Sequence, residues 1–170
     1  MILKPFQGKT PKIDPTAWVA ENAIIIGDVE IGPRSSVWYN VVIRGDTNYI
    51  RIGEDTNIQD GTIIHVETAG GPCVIGNRVT IGHQAVVHGC TVEDDALIGI
   101  SATVLSYSKI GKESVIAAGA LIKEGQIVLP RTMMVGVPAK EKGLVSDEML
   151  MRMKMGTEHY VELSQEYKQG

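Results

Sequence analysis

An aliphatic residue returns every six positions along most of this chain. The series runs through Val19, Ile25, Ile31, Val37 and Ile43, then Ile52, Ile58 and Ile64, then Ile75, Ile81 and Val87. It resumes at Val92 and continues through Ile98, Val104, Ile110, Ile116 and Ile122. Such a period fits neither an amphipathic helix at about 3.6 residues nor a lone strand at about 2, and it matches the hexapeptide repeat of a parallel β-helix. Three hexads make one triangular coil, with the aliphatic residue of each pointing inward. Coils stack at roughly 4.8 Å, so equivalent hexad positions form vertical ladders. The pairs Ile31-Gly32, Ile52-Gly53, Ile75-Gly76, Ile81-Gly82, Ile98-Gly99 and Ile110-Gly111 are expected at corners, where glycine adopts unusual backbone conformations cheaply. A single phenylalanine suits so narrow a core. The expected fold is therefore an all-β solenoid over residues 11–140.

The phase of the repeat breaks in three places. There are three extra residues before Ile52, five extra between Val66 and Val74, and one missing before Val92. Each break is a candidate functional loop or corner adjustment. Beyond Pro130 the pattern fades. Over residues 146–168, Ser146-Asp147-Glu148 reads as a helix cap, and Met149, Leu150, Met153, Tyr160, Val161 and Leu163 give one or two amphipathic helices. Gly156 is the expected break between them. This C-terminal α-helical segment is expected to pack on the solenoid, methionines inward.

Composition narrows the partners. Sixteen basic against twenty acidic residues leave a net charge of -4, and no run of Lys or Arg offers a grip on phosphate backbones or acidic lipid. Nucleic acid and membrane are not expected partners. Residues 1–6 lack the apolar stretch of a signal peptide, and no segment reaches membrane-spanning length, which suggests a soluble cytoplasmic protein. Cys73 and Cys90 form no CxxC motif, and both are expected as small buried side chains, with pairing left open.

Three of the chain's four histidines, His65, His83 and His88, fall inside the repeat. His65 follows Ile64 and His88 follows Val87, so both hold the second hexad position and stack on adjacent coils of one face. Their rings are expected about one strand spacing apart. His83 takes the third position of a preceding hexad, on another face. Five extended residues put it roughly 16 Å from His88 along the chain, too far to share an ion with the stacked pair around one face. In a cyclic trimer, the His83 of another copy supplies the missing ligand. Three imidazoles and one open position form a catalytic zinc arrangement that also suits cobalt(II) or iron(II). The competing reading is a set of surface histidines, or one histidine serving as an acyltransferase base. Arg44 shares the ladder of His65 and His88, and Asp60 shares that of His83. Arg44 of one chain and Asp60 of the next are then expected to pair, with Asp46 also in reach of Arg44, unless all three are solvated turn residues. His159, in the tail, is unrelated.

The motifs Arg44-Gly45-Asp46, Asn57-Ile58-Gln59-Asp60-Gly61, His65 and Gly82-His83-Gln84-Ala85-Val86-Val87-His88-Gly89-Cys90 resemble those of the γ-class carbonic anhydrase family. The resemblance runs over residues 11–140. It implies a left-handed β-helix and a homotrimer with Zn2+, Fe2+ or Co2+ held between subunits by His65, His83 and His88. It further implies inter-subunit ion pairs of Arg44, Asp46 and Asp60, with Asn57 and Gln59 near the metal's solvent. The implied reaction is reversible hydration of carbon dioxide to bicarbonate, by attack of hydroxide formed on the metal. Two departures concern proton transfer. Thr47 stands where the characterised members carry a glutamate, and the loop of residues 66–72 is short, with Glu67 its sole acid and so the candidate shuttle. Two other functions compete. One is a hexapeptide acyltransferase or thioesterase acting on a coenzyme A thioester, which Val137-Pro138-Ala139-Lys140 favours. The other is a non-catalytic, metal-binding trimeric scaffold.

Overall fold

The structure, a computed structural model, describes residues 1–169. Residues 2–144 wind into a left-handed parallel β-solenoid of about seven turns, and one helix follows. The first face stacks Trp18–Val19, Ser36–Val37, Asn57–Ile58, Thr80–Ile81, Leu97–Ile98, Val115–Ile116 and Thr132–Val135, and the antiparallel strand Lys140–Leu144 closes its edge. The second face carries Ile63–His65, Val86–His88, Thr103–Val104 and Leu121–Ile122. The third carries Cys73–Ile75, Thr91–Val92, Lys109–Ile110 and Ile127–Val128. The long strands Ile24–Ile31 and Val42–Ile52 turn the corner between the second and third faces, so these two count as a single sheet.

The six-residue period predicts the register. Ile58 pairs with Ile81, Ile64 with Val87 and Ile75 with Val92, and these inward residues are sealed from solvent. Each such side chain contributes roughly 1.5–3 kcal/mol by leaving water. Hydroxyls at the corners tie coil to coil: Ser35 Oγ donates to Gly53 O at 2.6 Å, Thr56 Oγ1 to Gly76 O at 2.8 Å and Thr62 Oγ1 to Gly82 O at 3.0 Å. Cys73, which opens strand Cys73–Ile75, and Cys90, just before strand Thr91–Val92, lie free and buried.

The glycines that follow the inward aliphatic residues serve a different purpose from the one expected. Their φ angles are ordinary. A Cβ on Gly99 would come within 2.5 Å of Ala118 N, and one on Gly111 equally close to Pro130 N, so these positions are kept bare for the backbone of the next coil. At that corner the left-handed conformation falls instead on Arg34, Asp55, Arg78, Asp95, Glu113 and Arg131, with φ from 53° to 60°, while at the other corners other glycines, Gly61, Gly89, Gly119 and Gly125, share it with polar residues. The side chains of Arg34, Asp55, Arg78 and Asp95 make an ion-paired column. Arg34 grips Asp55 through two bonds of 2.7 Å, and Arg78 grips Asp95 at 2.6 and 3.0 Å.

The C-terminal segment is one helix, Asp147–Gln169, and Gly156 does not break it. Glycine costs about 1 kcal/mol relative to alanine in a helix, which packing on either side outweighs. Ser146 Oγ caps the start by accepting the Met149 N–H at 3.2 Å, and Asp147 and Glu148 favour the helix dipole. The helix lies on the first face with two anchors. Near its start, Met153 packs with Val115, Val145, Leu97 and Met133. Near its end, Tyr160 and Tyr167 meet Trp18 and Trp38, with ring centroids 5.2–5.4 Å apart. Met151 and Met155 face solvent, so the expectation of inward methionines holds for only part of the helix. No helix among the described residues is long and apolar enough to cross a membrane.

Candidate metal centre

The stacked pair forms on the second face. His65 pairs in register with Arg44 on one side and His88 on the other. Both imidazoles lie on the outer surface of the sheet because Ile64 and Val87, next to them, point inward. His65 Nδ1 stands 3.1 Å from His88 Nε2.

What holds the remaining ring nitrogens decides which ones are bare. Asp46 sits where three extra residues enter the repeat, and its Oδ1 lies 3.0 Å from His65 Nε2. Burial alone would raise the Asp46 carboxyl, but the bonds from His65, Arg44 and the Thr47 N–H outweigh it and hold the group below its usual range. A carboxylate only accepts, so His65 Nε2 carries the hydrogen and Nδ1 presents a lone pair. On the other ring, His88 Nδ1 lies 2.9 Å from Ser106 Oγ, which in turn lies 3.5 Å from Glu67 Oε2. His83 is held in the same manner, with Nδ1 2.9 Å from Asp60 Oδ2. Each histidine thus has one nitrogen tied by an oxygen.

The two nitrogens that face each other across 3.1 Å are joined either by a hydrogen that His88 Nε2 donates to His65 Nδ1 or, with both bare, by a metal ion. Burial, and then the neighbouring His65, hold the His88 imidazole below the usual histidine range, which disfavours a second proton on that ring. A tetrahedral ion with metal–nitrogen distances of about 2.0–2.1 Å sets its ligand nitrogens about 3.3 Å apart, within a few tenths of an ångström of this pair. The donor set fits zinc and its neighbours. Among the described residues, no three His, Cys, Asp or Glu side chains of one chain converge into a metal-holding group. The chain therefore brings together two of the three candidate ligands and keeps His83 apart, beside Asp60.

The other candidates are placed as follows. Arg44 pairs with Asp46 of its own chain. Asn57 and Gln59 are buried on the first face, where Gln59 Nε2 donates to Asn57 Oδ1 at 3.0 Å and Asn57 Nδ2 donates to Thr80 Oγ1 at 2.9 Å. In register, Gln59 and Asp60 stand next to Gly82 and His83, so this pair borders His83 and not the stacked histidines. Glu67 reaches Ser106 from its loop. Ser106 is the residue that ladder counting misses, because it meets His88 diagonally from the corner of the next coil.

No protein-family model matches the chain. It is 42% identical over 162 residues to gamma carbonic anhydrase 2, mitochondrial, of Arabidopsis thaliana, an alignment covering 92% of this chain and 58% of that protein. The chain thus spans less than two thirds of that relative. It is 38% identical over 167 residues to a carbonic anhydrase of Geobacillus kaustophilus, covering 98% of this chain and 91% of the relative. Among solved structures, a hexapeptide transferase family protein from Anaplasma phagocytophilum superposes with a TM-score of 0.92 at 40% identity, covering 98% of each chain. Similarity of this extent, together with the stacked histidines on their solenoid face, shows that the chain belongs to the γ-class carbonic anhydrase family.

Proposed function

We propose that this chain is one subunit of a homotrimer that hydrates carbon dioxide reversibly to bicarbonate, using a divalent metal shared between His65 and His88 of one protomer and His83 of the next. The observation that carries this reading is the pair of ring nitrogens facing each other 3.1 Å apart, each on a ring whose other nitrogen is held. Zinc is the first choice, with iron(II) or cobalt(II) suited to the same ligands. When bound, such an ion supplies the Lewis acidity that ionises water near neutral pH, carbonic anhydrase being the standard instance.

The protein's own groups do the rest. Asp46, Ser106 and Asp60 aim the three imidazoles. Glu67 is the one acid of the nearby loop and takes the proton out to solvent, a task that Thr47 cannot share. Ile63, beside His65, is 47% exposed and gives the second face an apolar patch for a neighbouring subunit to cover. In the trimer, Arg44 of one subunit meets Asp60 of the next, adding charge complementarity to that contact.

The decisive experiment mixes His83→Ala with His88→Ala chains. Neither variant alone completes a site, but a mixed trimer contains one interface with all three histidines intact. Metal content and carbon dioxide hydration should return in part on mixing, measured on anaerobically prepared samples supplied with zinc or iron. No recovery would rule out the shared site. Full metal content without hydration would favour the scaffold reading. The likeness to a hexapeptide transferase family protein keeps acyl transfer as the second reading. Calorimetric binding of acetyl-coenzyme A to the metal-free protein would favour it.

A further inference from the structure

Ser106 lies at the corner after strand Thr103–Val104, one coil beyond His88, and is 7% exposed. Its hydroxyl touches two groups, His88 Nδ1 at 2.9 Å and Glu67 Oε2 at 3.5 Å. A hydroxyl owns a single proton. The Glu67 carboxylate oxygen accepts that proton, so the Ser106 oxygen is left to accept from His88 Nδ1–H. The lone pair of His88 is thereby placed on Nε2, the nitrogen that faces His65.

The loop is built to keep Glu67 there. Its N–H donates to Gly71 O at 2.8 Å, and Asn48 Nδ2 donates to its carbonyl at 3.3 Å. Gly71 and Gly89 leave the room. A Cβ on Gly71 would come within 2.5 Å of Glu67 Cβ, and one on Gly89 within 3.0 Å of the same atom. The five extra residues that interrupt the repeat between Val66 and Val74 thus bring their one acid to a serine on another coil.

We propose that Ser106 is a positioning residue that holds His88 in its Nδ1–H form, presents Nε2 to the metal and couples that ligand to the Glu67 loop. The inference rests on the metal reading above, and its own step concerns the tautomer. Partners of this kind orient ligating histidines, and their loss commonly weakens metal binding about 10–100-fold.

The test uses the full chain in its native assembly, labelled with 15N and stripped of metal. Long-range 1H–15N spectra at mildly alkaline pH should show His88 as the Nδ1–H tautomer in the wild type and in Ser106→Thr, which keeps the hydroxyl. In Ser106→Ala, His88 should shift toward the Nε2–H form. Zinc affinity, measured by chelator competition, should fall about 10–100-fold in Ser106→Ala and recover in Ser106→Thr. Unchanged assembly mass and melting temperature would separate this from a folding defect. An Nε2–H tautomer in the wild type, or Ser106→Ala with unaltered tautomer and affinity, overturns the proposal. A wild-type chain that takes up no zinc overturns instead the metal reading on which it rests, and it does so in the binding measurement while the spectra remain as expected.

Discussion

The first and second faces of the solenoid share an interior and differ only outside. Ile58, Ile81, Ile98 and Ile116 line one, Ile43, Ile64, Val87 and Ile122 the other, all fully buried. Outside, the first face presents Trp18, Trp38, Leu97, Val115 and Met133, and the chain's own helix covers them. The second presents Arg44, His65 and His88 with exposed Ile63, and among the described residues no helix of the same chain covers them. The inner column specifies the coil, and the outer column decides what each face meets. One face is completed within the chain, and the other is laid out for a second copy.

That contrast is open to attack. His88→Ala should have the largest effect, abolishing stoichiometric metal and reducing hydration to background while the metal-free protein melts within a few degrees of wild type. A large fall in metal-free stability would mean that the outer column also builds the coil. Trp38→Ala should cost about 3–5 kcal/mol in denaturant unfolding and expose the end of the helix to protease, yet leave zinc affinity unaltered. Weakened zinc binding there would show that the two faces are not independent. Ile64→Ala and Ile81→Ala, one behind each face, should cost about 2–5 kcal/mol and resemble each other, as a common interior requires.

The smallest effect concerns pH. Burial and the adjacent His65 depress His88 in the folded, metal-free chain below the ordinary value of about 6.5. As pH falls, the unfolded chain takes up its proton first. Stability present above about pH 6.5 is therefore lost as the pH drops toward the folded value. Urea midpoints of the metal-free protein should rise from acid to neutral pH, with a flatter slope in His88→Gln. A slope equally steep in that variant would move the effect to another group.

The inner columns were legible because a six-residue period leaves no other regular structure, and the stacked histidines were legible because ladder counting needs only that period. Contacts that leave the ladder were harder. Asp46 reaches His65 from an insertion that has no period to count, and Ser106 reaches His88 across a corner. The Ile-Gly pairs suggest unusual backbone at their own corner, yet arginines and aspartates make the left-handed turn there, and those glycines answer instead to the tight distance between successive coils. Gly156 suggests a break that the helix does not show, because a local propensity of about 1 kcal/mol is small beside two anchors of aromatic and aliphatic packing.

The column of Arg34, Asp55, Arg78 and Asp95 has a consequence for how the coils find one another. Inward residues that are nearly all Ile or Val would let one coil dock on the wrong neighbour at little cost, a hazard of any repetitive stack. Alternating charge removes that freedom. Skipping a single coil would set Arg34 against Arg78 and Asp55 against Asp95, like against like over these four coils. The corner thus works as an address, written in charge on a chain whose interior reads the same at almost every turn.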